Sequence, residues 1–348
     1  MAEKHLAAVL PSRAANLVLL ERPTPIPGPN EVLIEVKSIA LNPIDNYQRA
    51  YGYPSINYPA VLGSDVAGIV LAVGSSMTIE APAVGSRVIA HGASFFHKGE
   101  PDYGAFQQKF LVPVQAISPL PDTMSFNEGC IIGMALQTSW CGFINSGLTR
   151  ETSYKPEDKM GMLIWGASSS VGSAAVQVAK TMGYTVYATS SSKHHEYIKG
   201  LGASRMFDYK DKDVVAKIVK AGKEDGIVID FAFLAMGDLI AAVSVLQELK
   251  KAEKARVAMA TFQLSMFWWR LFPSWRSTEV KFIVPPAKKE DKDDLYQFIF
   301  GVWLKEKLAS GQFVPSPKIK LVEGGLAGIQ KALDGFKTVS GEKLVMEL

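Results

Sequence analysis

The spacing of apolar residues divides the chain into two kinds of region. Near the amino terminus, EVLIEVKSIALN (31–42) alternates apolar and polar residues and follows the turn-rich RPTPIPGPN (22–30). Two further apolar stretches, AVLGSDVAGIVLAVG (60–74) and SRVIAHG (86–92), are interrupted or ended by glycine. Short strands separated by glycine and proline predict an all-β unit that closes like a barrel.

After about residue 123, segments of strand length alternate with segments of helix length. This alternation predicts βαβ units and a parallel sheet. The predicted strands are MGMLIWG (160–166), YTVYATS (184–190), RMFDY (205–209), GIVIDFAFL (226–234), KARVAMAT (254–261) and VKFIVPP (280–286). The predicted helices include SFNEGCIIGMALQTSWCGFINSG (125–147), AAVQVAKTMG (174–183), DVVAKIVKAG (213–222), IAAVSVLQELKK (240–251) and DDLYQFIFGVWLKEKLASG (293–311). A final strand, KLVMEL (343–348), is expected to return to the amino-terminal β unit.

Length and composition narrow the class of protein. A chain of 348 residues is long for one core, so two domains are expected. The net charge of +3, with both signs interspersed, gives no reason to expect a nucleic-acid or membrane partner. The two cysteines make no disulfide framework, and no secretory signal or membrane span is evident, so we expect a cytoplasmic location.

The turn after the first predicted parallel strand indicates a nucleotide site. It reads Gly166-Ala-Ser-Ser169-Ser-Val-Gly172 and leads into a helix. Such a turn presents backbone N–H groups and a positive dipole end to a phosphate, and glycine permits the close approach. One residue is added relative to G-x-G-x-x-G, and Ser169 replaces the middle glycine. The predicted cofactor-binding residues of this turn are Gly166, Ser168, Ser169, Ser170, Val171 and Gly172.

The end of the second parallel strand lacks an acid. NAD-binding units carry Asp or Glu there for the ribose 2′-hydroxyl, whereas this chain has Thr189-Ser190-Ser191-Ser192-Lys193. Hydroxyl groups and a lysine favour a 2′-phosphate, so the sequence predicts NADPH rather than NADH. We assign Ser190, Ser191 and Lys193 to this phosphate, with Tyr209 as a second contact, although Tyr209 is equally well read as a strand tyrosine.

Three stretches carry a resemblance to a known superfamily. LIWGASSSVGSAAVQVAKTMGYTV, ALNPIDNYQRAYGYPSINYPAVLGSDVAGIV and GLAGIQKALDGFKTVSGEKLV resemble the medium-chain dehydrogenase/reductase superfamily along nearly the whole chain. Within it, the chain is most similar to the zinc-free quinone and enoyl reductases. The glycine–serine turn and the tail resemble fungal trans-acting enoyl reductases and "zinc-binding oxidoreductase-like" proteins.

The resemblance implies a fold and its domains. It implies an α/β protein with a GroES-like β-rich catalytic domain, residues 1–125 and 291–348, and a Rossmann cofactor domain with a doubly wound parallel sheet, residues 126–290.

The resemblance also indicates whether a metal site is present. Asn42 stands where zinc-dependent members have a cysteine, and Gly63-Ser64-Asp65 stands in place of their Gly-His-Glu. A catalytic zinc needs about three protein ligands, so we expect no metal.

The chemistry expected of such a protein is hydride transfer to an activated C=C bond. The substrate would be an enone, enal, quinone or enoyl thioester, and a proton would reach the α-carbon from a Tyr, Lys or water. Asn42, Tyr47 and Tyr53 match polar positions that line the active site in related reductases. Tyr47 is the preferred donor, with Tyr51 and Tyr58 as competing candidates, and Asn42 would orient the nicotinamide or the carbonyl. Thr138, Leu234 (in the strand-end loop after Asp230) and Lys343 are further cofactor candidates.

Several alternatives remain open from the sequence. A carbonyl or imine reductase on the same frame, or a non-enzymatic NADPH-binding sensor or scaffold, fits the same motifs. The aromatic stretch 262–277 indicates either an apolar wall over a bulky apolar substrate, core packing or a subunit contact. The chain could act as a monomer or as a homodimer paired through VKFIVPP (280–286).

Overall fold

The computed structural model describes residues 3–92, 94–261, 277–336 and 339–348. The strands are β1 (Lys4–Leu10), β2 (Val18–Pro23), β3 (Glu31–Ala40), β4 (Ala60–Val61), β5 (Asp65–Val73), β6 (Arg87–His91), β7 (Lys109–Pro113), β8 (Ile117–Pro119), β9 (Met160–Trp165), β10 (Thr185–Ser190), β11 (Arg205–Asp208), β12 (Val228–Leu234), β13 (Ala255–Met259), β14 (Thr278–Phe282), β15 (Lys318–Leu321) and β16 (Glu342–Glu347).

The helices follow the same chain order. They are α1 (Pro43–Tyr51), α2 (Phe126–Cys130), α3 (Gly133–Asn145), α4 (Ser170–Thr181), α5 (His195–Leu201), α6 (Val214–Asp225), α7 (Leu239–Leu249), α8 (Lys289–Tyr296), α9 (Lys305–Ala309) and α10 (Gly325–Asp334). A π-helical segment, Gln297–Leu304, joins α8 to α9. Single 3₁₀ turns occupy Ser94–His97, Pro101–Tyr103, Val114–Ala116, Pro156–Asp158 and Ser192–His194. Within the described ranges, no helix is long and apolar enough to cross a membrane.

The chain forms two compact units, each assembled from separated stretches. The first unit comprises Met1–Met134, Lys288–Gly311 and Pro315–Leu348, and the second comprises Ala135–Ala287 with Gln312–Val314. The division into functional domains at residues 125/126 and 290/291 stays a prediction.

The first unit is β-rich. Its described strands form a three-stranded sheet, β2-β1-β4, and a larger sheet in the order β15-β16-β3-β5-β6-β8, with β7 also paired to β3. The long central strand β3 pairs antiparallel with β5, β7 and β16. Strand β16, near residue 348, therefore closes the same sheet as β3, as the sequence predicted for the returning tail. The apolar side chains of β3 are buried because neighbouring strands and helices cover the sheet.

The second unit contains a parallel sheet of six described strands in the order β11-β10-β9-β12-β13-β14. The strands are apolar and buried along most of their length, as expected when helices cover both faces. The strand order runs outward in both directions from β9 and β12, which gives the doubly wound arrangement of two βαβ halves. Together, the two units confirm the predicted fold class, a GroES-like β-rich domain and a Rossmann-like domain.

The sheet order locates a binding edge within the second unit. Ligands of open α/β sheets bind outside the carboxyl ends of the strands, where the strand order reverses. Here the reversal lies between β9 and β12, which are paired parallel neighbours. The turn that follows β9 is the predicted glycine–serine turn, so the fold places it at this edge.

Candidate functional site

The turn after β9 is tight enough to require glycine at two positions. Gly166 has φ of 79°, and a Cβ atom there would lie 2.6 Å from the carbonyl oxygen of Met236, which follows β12. A Cβ on Gly172, in the first turn of α4, would overlap the carbonyl oxygen of Gly166. The turn therefore packs closely on itself and on the residue that follows β12, which a side chain at either glycine would prevent.

Ser169 shapes this turn from within. It is the N-cap of α4, and its Oγ accepts the N–H of Gly172 at 3.0 Å while donating to the carbonyl of Gly166 at 2.8 Å. The amide groups of Ser170 and Val171 belong to the first turn, where no intrahelical acceptor exists. These amides and the helix dipole suit an anionic group. The residues of the turn thus fit the pyrophosphate of a dinucleotide, and phosphate contacts by Ser168, Ser169 and Ser170 stay predictions.

The adjacent strand ends bring together the residues predicted for a 2′-phosphate. Strand β10 ends at Ser190, which is buried and donates its hydroxyl to the carbonyl of Ser191 at 3.1 Å. Lys193 is exposed, and its ammonium has no ion-pair partner within the described ranges. Tyr209 follows β11, and 48% of its surface is exposed. We call Ser190, Ser191, Lys193, Tyr209 and the neighbouring Asp208 the strand-end site.

Asp208 was missed by the sequence reasoning. The parallel register of β10 and β11 sets Ser190 opposite Asp208. One oxygen of the carboxylate accepts the N–H of Ser192 at 3.0 Å, and the other accepts the N–H of Lys210 at 2.9 Å. The backbone hydrogen bond from Lys210, followed by that from Ser192, holds the pKa of Asp208 below its usual range. An ionised carboxylate therefore lies beside the predicted phosphate contacts.

Two further cofactor candidates lie deeper in the second unit. Leu234 is the last residue of β12, and its side chain is fully buried in the apolar core beside that sheet. Its carbonyl accepts the N–H of Ala260 at 2.9 Å. Thr138 lies on α3, next to Ser139, whose hydroxyl contacts the carbonyl of Val171 at 3.2 Å. Helix α3 therefore lies against the first turn of α4, and cofactor contacts by Leu234 and Thr138 stay predictions.

Tyr47 and Tyr53, the two tyrosines predicted to be catalytic, are exposed. Tyr47 lies on α1 and is 47% exposed, and its ring centroid lies 6.4 Å from that of Tyr51. Tyr53 is 63% exposed just beyond the helix, which ends at Gly52 in the left-handed conformation. The hydroxyl groups of Tyr47 and Tyr53 are thus available to a ligand, while a catalytic role for either stays a prediction.

Asn42 and Lys343, predicted separately, are brought together in the first unit. The ammonium of Lys343 donates to Asn42 Oδ1 at 2.5 Å, and the Asn42 amide donates to Asp65 Oδ2 at 2.9 Å. Lys343 Nζ lies 3.6 Å from the same carboxylate, and its side chain is only 4% exposed. Asp65 Oδ1 accepts from His91 Nδ1 at 3.0 Å and from the N–H of Met134 at 2.7 Å. We call Asn42, Asp45, Asp65, His91 and Lys343 the buried polar cluster.

The charges of the buried polar cluster are set by their neighbours. Burial alone would raise the pKa of Asp65, but the hydrogen bond from His91 and the charge of Lys343 outweigh it and hold that pKa below its usual range. Burial raises the pKa of Asp45 to about 7, although its carboxylate accepts the N–H of Asn42 at 2.7 Å. The cluster therefore pairs one permanent carboxylate with one lysine and adds a carboxyl group that titrates near neutral pH.

His91 is the member of the cluster with a free nitrogen. Its Nε2 is buried and has no hydrogen-bond partner among the residues that the structure describes. Its ring lies 5.9 Å from Phe300 and 6.0 Å from Tyr296, measured between centroids. In the sequence, His91 and Asp65 lie within apolar strands and Asp45 lies at the start of a helix. Because buried charges must be paired, these three residues were the available sequence signal for the cluster.

The remaining metal candidates do not converge. His97 stacks on Tyr103 at 3.9 Å between ring centroids, whereas His91 is hydrogen-bonded to Asp65. Cys130 and Cys141 are free and buried, and burial raises the pKa of the Cys141 thiol to about 12. In the part of the chain that the structure describes, no group of three His, Cys, Asp or Glu residues could hold a metal ion. The aromatic stretch from Phe262 to Trp275 lies outside the described residues.

The chain is similar to known oxidoreductases along its whole length. The family described as "Alcohol dehydrogenase GroES-like domain" matches residues 28–122, and "Zinc-binding dehydrogenase" matches residues 170–258. The protein is 44% identical to trans-enoyl reductase tndF of Aspergillus flavipes over 100% of both chains. It is 51% identical to trans-enoyl reductase tazE of Aspergillus terreus over 74% of this chain and 86% of that protein.

A solved structure supports the same fold. The CurK enoyl reductase superposes with a TM-score of 0.74 at 18% identity, covering 99% of both chains, and this likeness concerns the fold alone. The matched families, the relatives and the two folded units agree with the resemblance noted from the sequence. The chain belongs to the medium-chain dehydrogenase/reductase superfamily and is an oxidoreductase.

Proposed function

We propose that the protein reduces a C=C bond conjugated to a carbonyl group, with NADPH as cofactor and without a metal. The substrate class comprises enones, enals, quinones and enoyl thioesters. The observation that carries the reaction class is the 44% identity, over the full length, to a protein named as a trans-enoyl reductase. When bound, a reduced nicotinamide supplies the hydride that such a reduction requires.

The strand-end site supports NADPH. Strand β10 ends in serines followed by Lys193, whose ammonium is exposed and without an ion-pair partner in the described part of the chain. The nearby carboxylate of Asp208 is already engaged by two backbone amides. A 2′-phosphate would gain the lysine charge and the hydroxyl donors of Ser191 and Tyr209, whereas the ribose hydroxyl of NADH would gain little from them.

The buried polar cluster supports chemistry without a metal. Asn42 and Asp65 stand where zinc-dependent relatives are expected to carry ligands, yet here both are bonded within the chain. The ammonium of Lys343 lies 2.5 Å from Asn42 and 3.6 Å from Asp65. A divalent cation at the same place would be repelled by this buried charge. The chain thus supplies its own cation to these groups.

The same contacts bear on the proposed catalytic residues. Both polar atoms of the Asn42 amide are used inside the cluster, so its proposed contact with nicotinamide or substrate would require them to be shared. Asn42 also begins α1, the helix that carries Tyr47. We therefore propose Tyr47 as the proton donor to the α-carbon, on a helix whose start is held by the cluster, with Tyr53 nearby in sequence.

The test follows cofactor oxidation and product together. NADPH or NADH is supplied with a panel of enones, enals, quinones and enoyl thioesters, with and without a chelator, and the product is identified. We expect oxidation of NADPH, unaffected by the chelator, with a saturated carbonyl product. An alcohol or amine product would assign carbonyl or imine reduction instead. Loss of activity in the chelator would overturn the metal-free proposal.

A further inference from the structure

Asp208 lies beside the proposed 2′-phosphate site, where a carboxylate is expected to repel the phosphate of NADPH. It is the last residue of β11 and lies in register with Ser190, the last residue of β10. An acid at the end of the second strand of a dinucleotide-binding unit favours the ribose hydroxyl of NAD and repels a 2′-phosphate. This acid comes from the third strand, however, and its bonds distinguish it from a ribose acceptor.

The carboxylate of Asp208 joins two turns. Its bond to the N–H of Ser192 holds the turn after β10, and its bond to the N–H of Lys210 holds the turn after β11. The first turn carries Lys193 and the second carries Tyr209, the two side chains proposed to grip the 2′-phosphate. Both bonds are charge-assisted, which makes them stronger than ordinary backbone contacts.

The surroundings of Asp208 also reduce its repulsion of a phosphate. Two amide dipoles point at the carboxylate, and His195 adds a favourable charge interaction when protonated. The His195 ring is itself positioned by a contact between its Nε2 and the carbonyl of Ser190 at 3.3 Å. The negative charge of Asp208 therefore interacts with the two turns, and its repulsion of a phosphate is reduced.

We propose that Asp208 is a positioning residue for cofactor selection: it fixes the Lys193 turn against the Tyr209 turn, so that the discrimination in favour of a 2′-phosphate depends on this acid. The inference rests on the proposed use of NADPH. It has a counter-intuitive consequence, because removing a negative charge from beside the phosphate site weakens phosphate binding. A purely electrostatic role would have the opposite sign.

The experiment uses fragments of the cofactor, so that it does not depend on turnover. Binding of adenosine 2′,5′-bisphosphate and of 5′-AMP to the full chain is measured by calorimetry for the wild type, Asp208→Asn and Asp208→Ala. Asn retains one acceptor and loses the charge, whereas Ala loses both bonds. We expect Asp208→Ala to weaken binding of the bisphosphate about tenfold and binding of 5′-AMP much less. The bisphosphate affinity of Asp208→Asn should lie between those of the wild type and Asp208→Ala.

Asp213→Asn is the matched control. Asp213 precedes α6, is exposed, and makes no side-chain cap hydrogen bond to that helix. Its variant removes the same charge and should leave both affinities within about twofold, because it bonds neither turn. The thermal midpoint of each variant is compared with that of the wild type. A general loss of folding would lower the midpoint and weaken the binding of both fragments equally.

The outcomes separate the two proposals. Tighter bisphosphate binding by Asp208→Asn, or an unchanged preference in both Asp208 variants, would overturn the positioning role and leave NADPH use intact. Equal binding of the two fragments by the wild type would instead overturn the proposed NADPH preference. Selective loss in the Asp208 variants alone supports the inference.

Discussion

The buried polar cluster and the strand-end site both contain a lysine and a carboxylate, but the lysine of the cluster is paired within the chain and the lysine of the strand-end site is not. In the cluster, the ammonium of Lys343 is buried and bonded within the chain, and Asp65 accepts from three donors besides lying near that ammonium. At the strand ends, Lys193 is exposed without an ion-pair partner in the described ranges. Removing a lysine that is paired in the interior would leave a buried charge without its partner, whereas an unpaired lysine beside the turn proposed to bind phosphate is available to a ligand.

The largest expected effect tests the structural side of this contrast. Lys343→Met removes the buried cation and leaves Asp65 and the raised-pKa Asp45 in an apolar interior. We expect the free energy of unfolding to fall by about 3 kcal/mol, because an uncompensated buried charge is strongly destabilising. Urea denaturation followed by circular dichroism measures the change.

The matched variant is Lys193→Met. It should alter the free energy of unfolding by less than about 0.5 kcal/mol, since the side chain is exposed and unpaired. Similar losses for the two lysines would remove the distinction between the two regions. A small loss for Lys343→Met alone would mean that hydrogen bonds suffice to hold the charge of Asp65.

The pH dependence of stability gives the next effect. The pKa of Asp45 is raised to about 7 in the folded protein, against an ordinary value near 3.9 in an unfolded chain. Its protonated form therefore favours the folded state, and the stabilisation present below the unfolded pKa is lost as pH rises through the folded pKa. Asp45→Asn abolishes this titration and keeps an oxygen for the N–H of Asn42.

The measurement compares free energies of unfolding at pH 5 and pH 8. Relative to the wild type, Asp45→Asn should gain about 2 kcal/mol between the two pH values. Asp213→Asn, which alters an exposed acid, should show almost no such gain. Parallel pH profiles for Asp45→Asn and the wild type would show that the pKa of Asp45 in the folded protein is not raised into this pH range.

The smallest expected effect tests the ligand side. Lys193→Ala should raise the dissociation constant of NADPH about tenfold and leave that of NADH nearly unchanged, because only the 2′-phosphate loses a charged partner. Fluorescence titration of the nicotinamide measures both constants. Lys212→Ala, an exposed lysine on the neighbouring turn, is the control, and equal losses for both cofactors would contradict the assignment.

Much of the fold could be predicted because its signals are local. The apolar runs of β9, β10, β12 and β13 and the helices between them follow from periodicity. One predicted helix over 125–147 is wrong as a single element, since the structure has α2 and α3 separated before Gly133. Asp65 Oδ1 accepts the N–H of Met134 at 2.7 Å, and a Cβ on Gly133 would lie 2.5 Å from the same oxygen. The start of α3 therefore contacts a carboxylate that is distant in sequence and that no local pattern shows.

The site was less predictable for the same reason. The glycine–serine turn and Lys193 are contiguous motifs, and they could be read directly. Asp208 was missed because the search for an acid stopped at the end of β10, whereas the pairing of β10 with β11 brings the acid from another strand. The link between Asn42 and Lys343 spans 301 residues of sequence, so only the folded sheet brings them together.

That separation also orders events while the chain is being made. Asn42, Asp65 and His91 leave the ribosome early, but the lysine that compensates them is translated only after all of Ala135–Ala287. At roughly 10 residues per second, the nascent amino-terminal sheet waits tens of seconds for its last strand and its cation. During that interval the second unit already has nearly all of its own residues, so it can mature before the unit that surrounds it in the sequence.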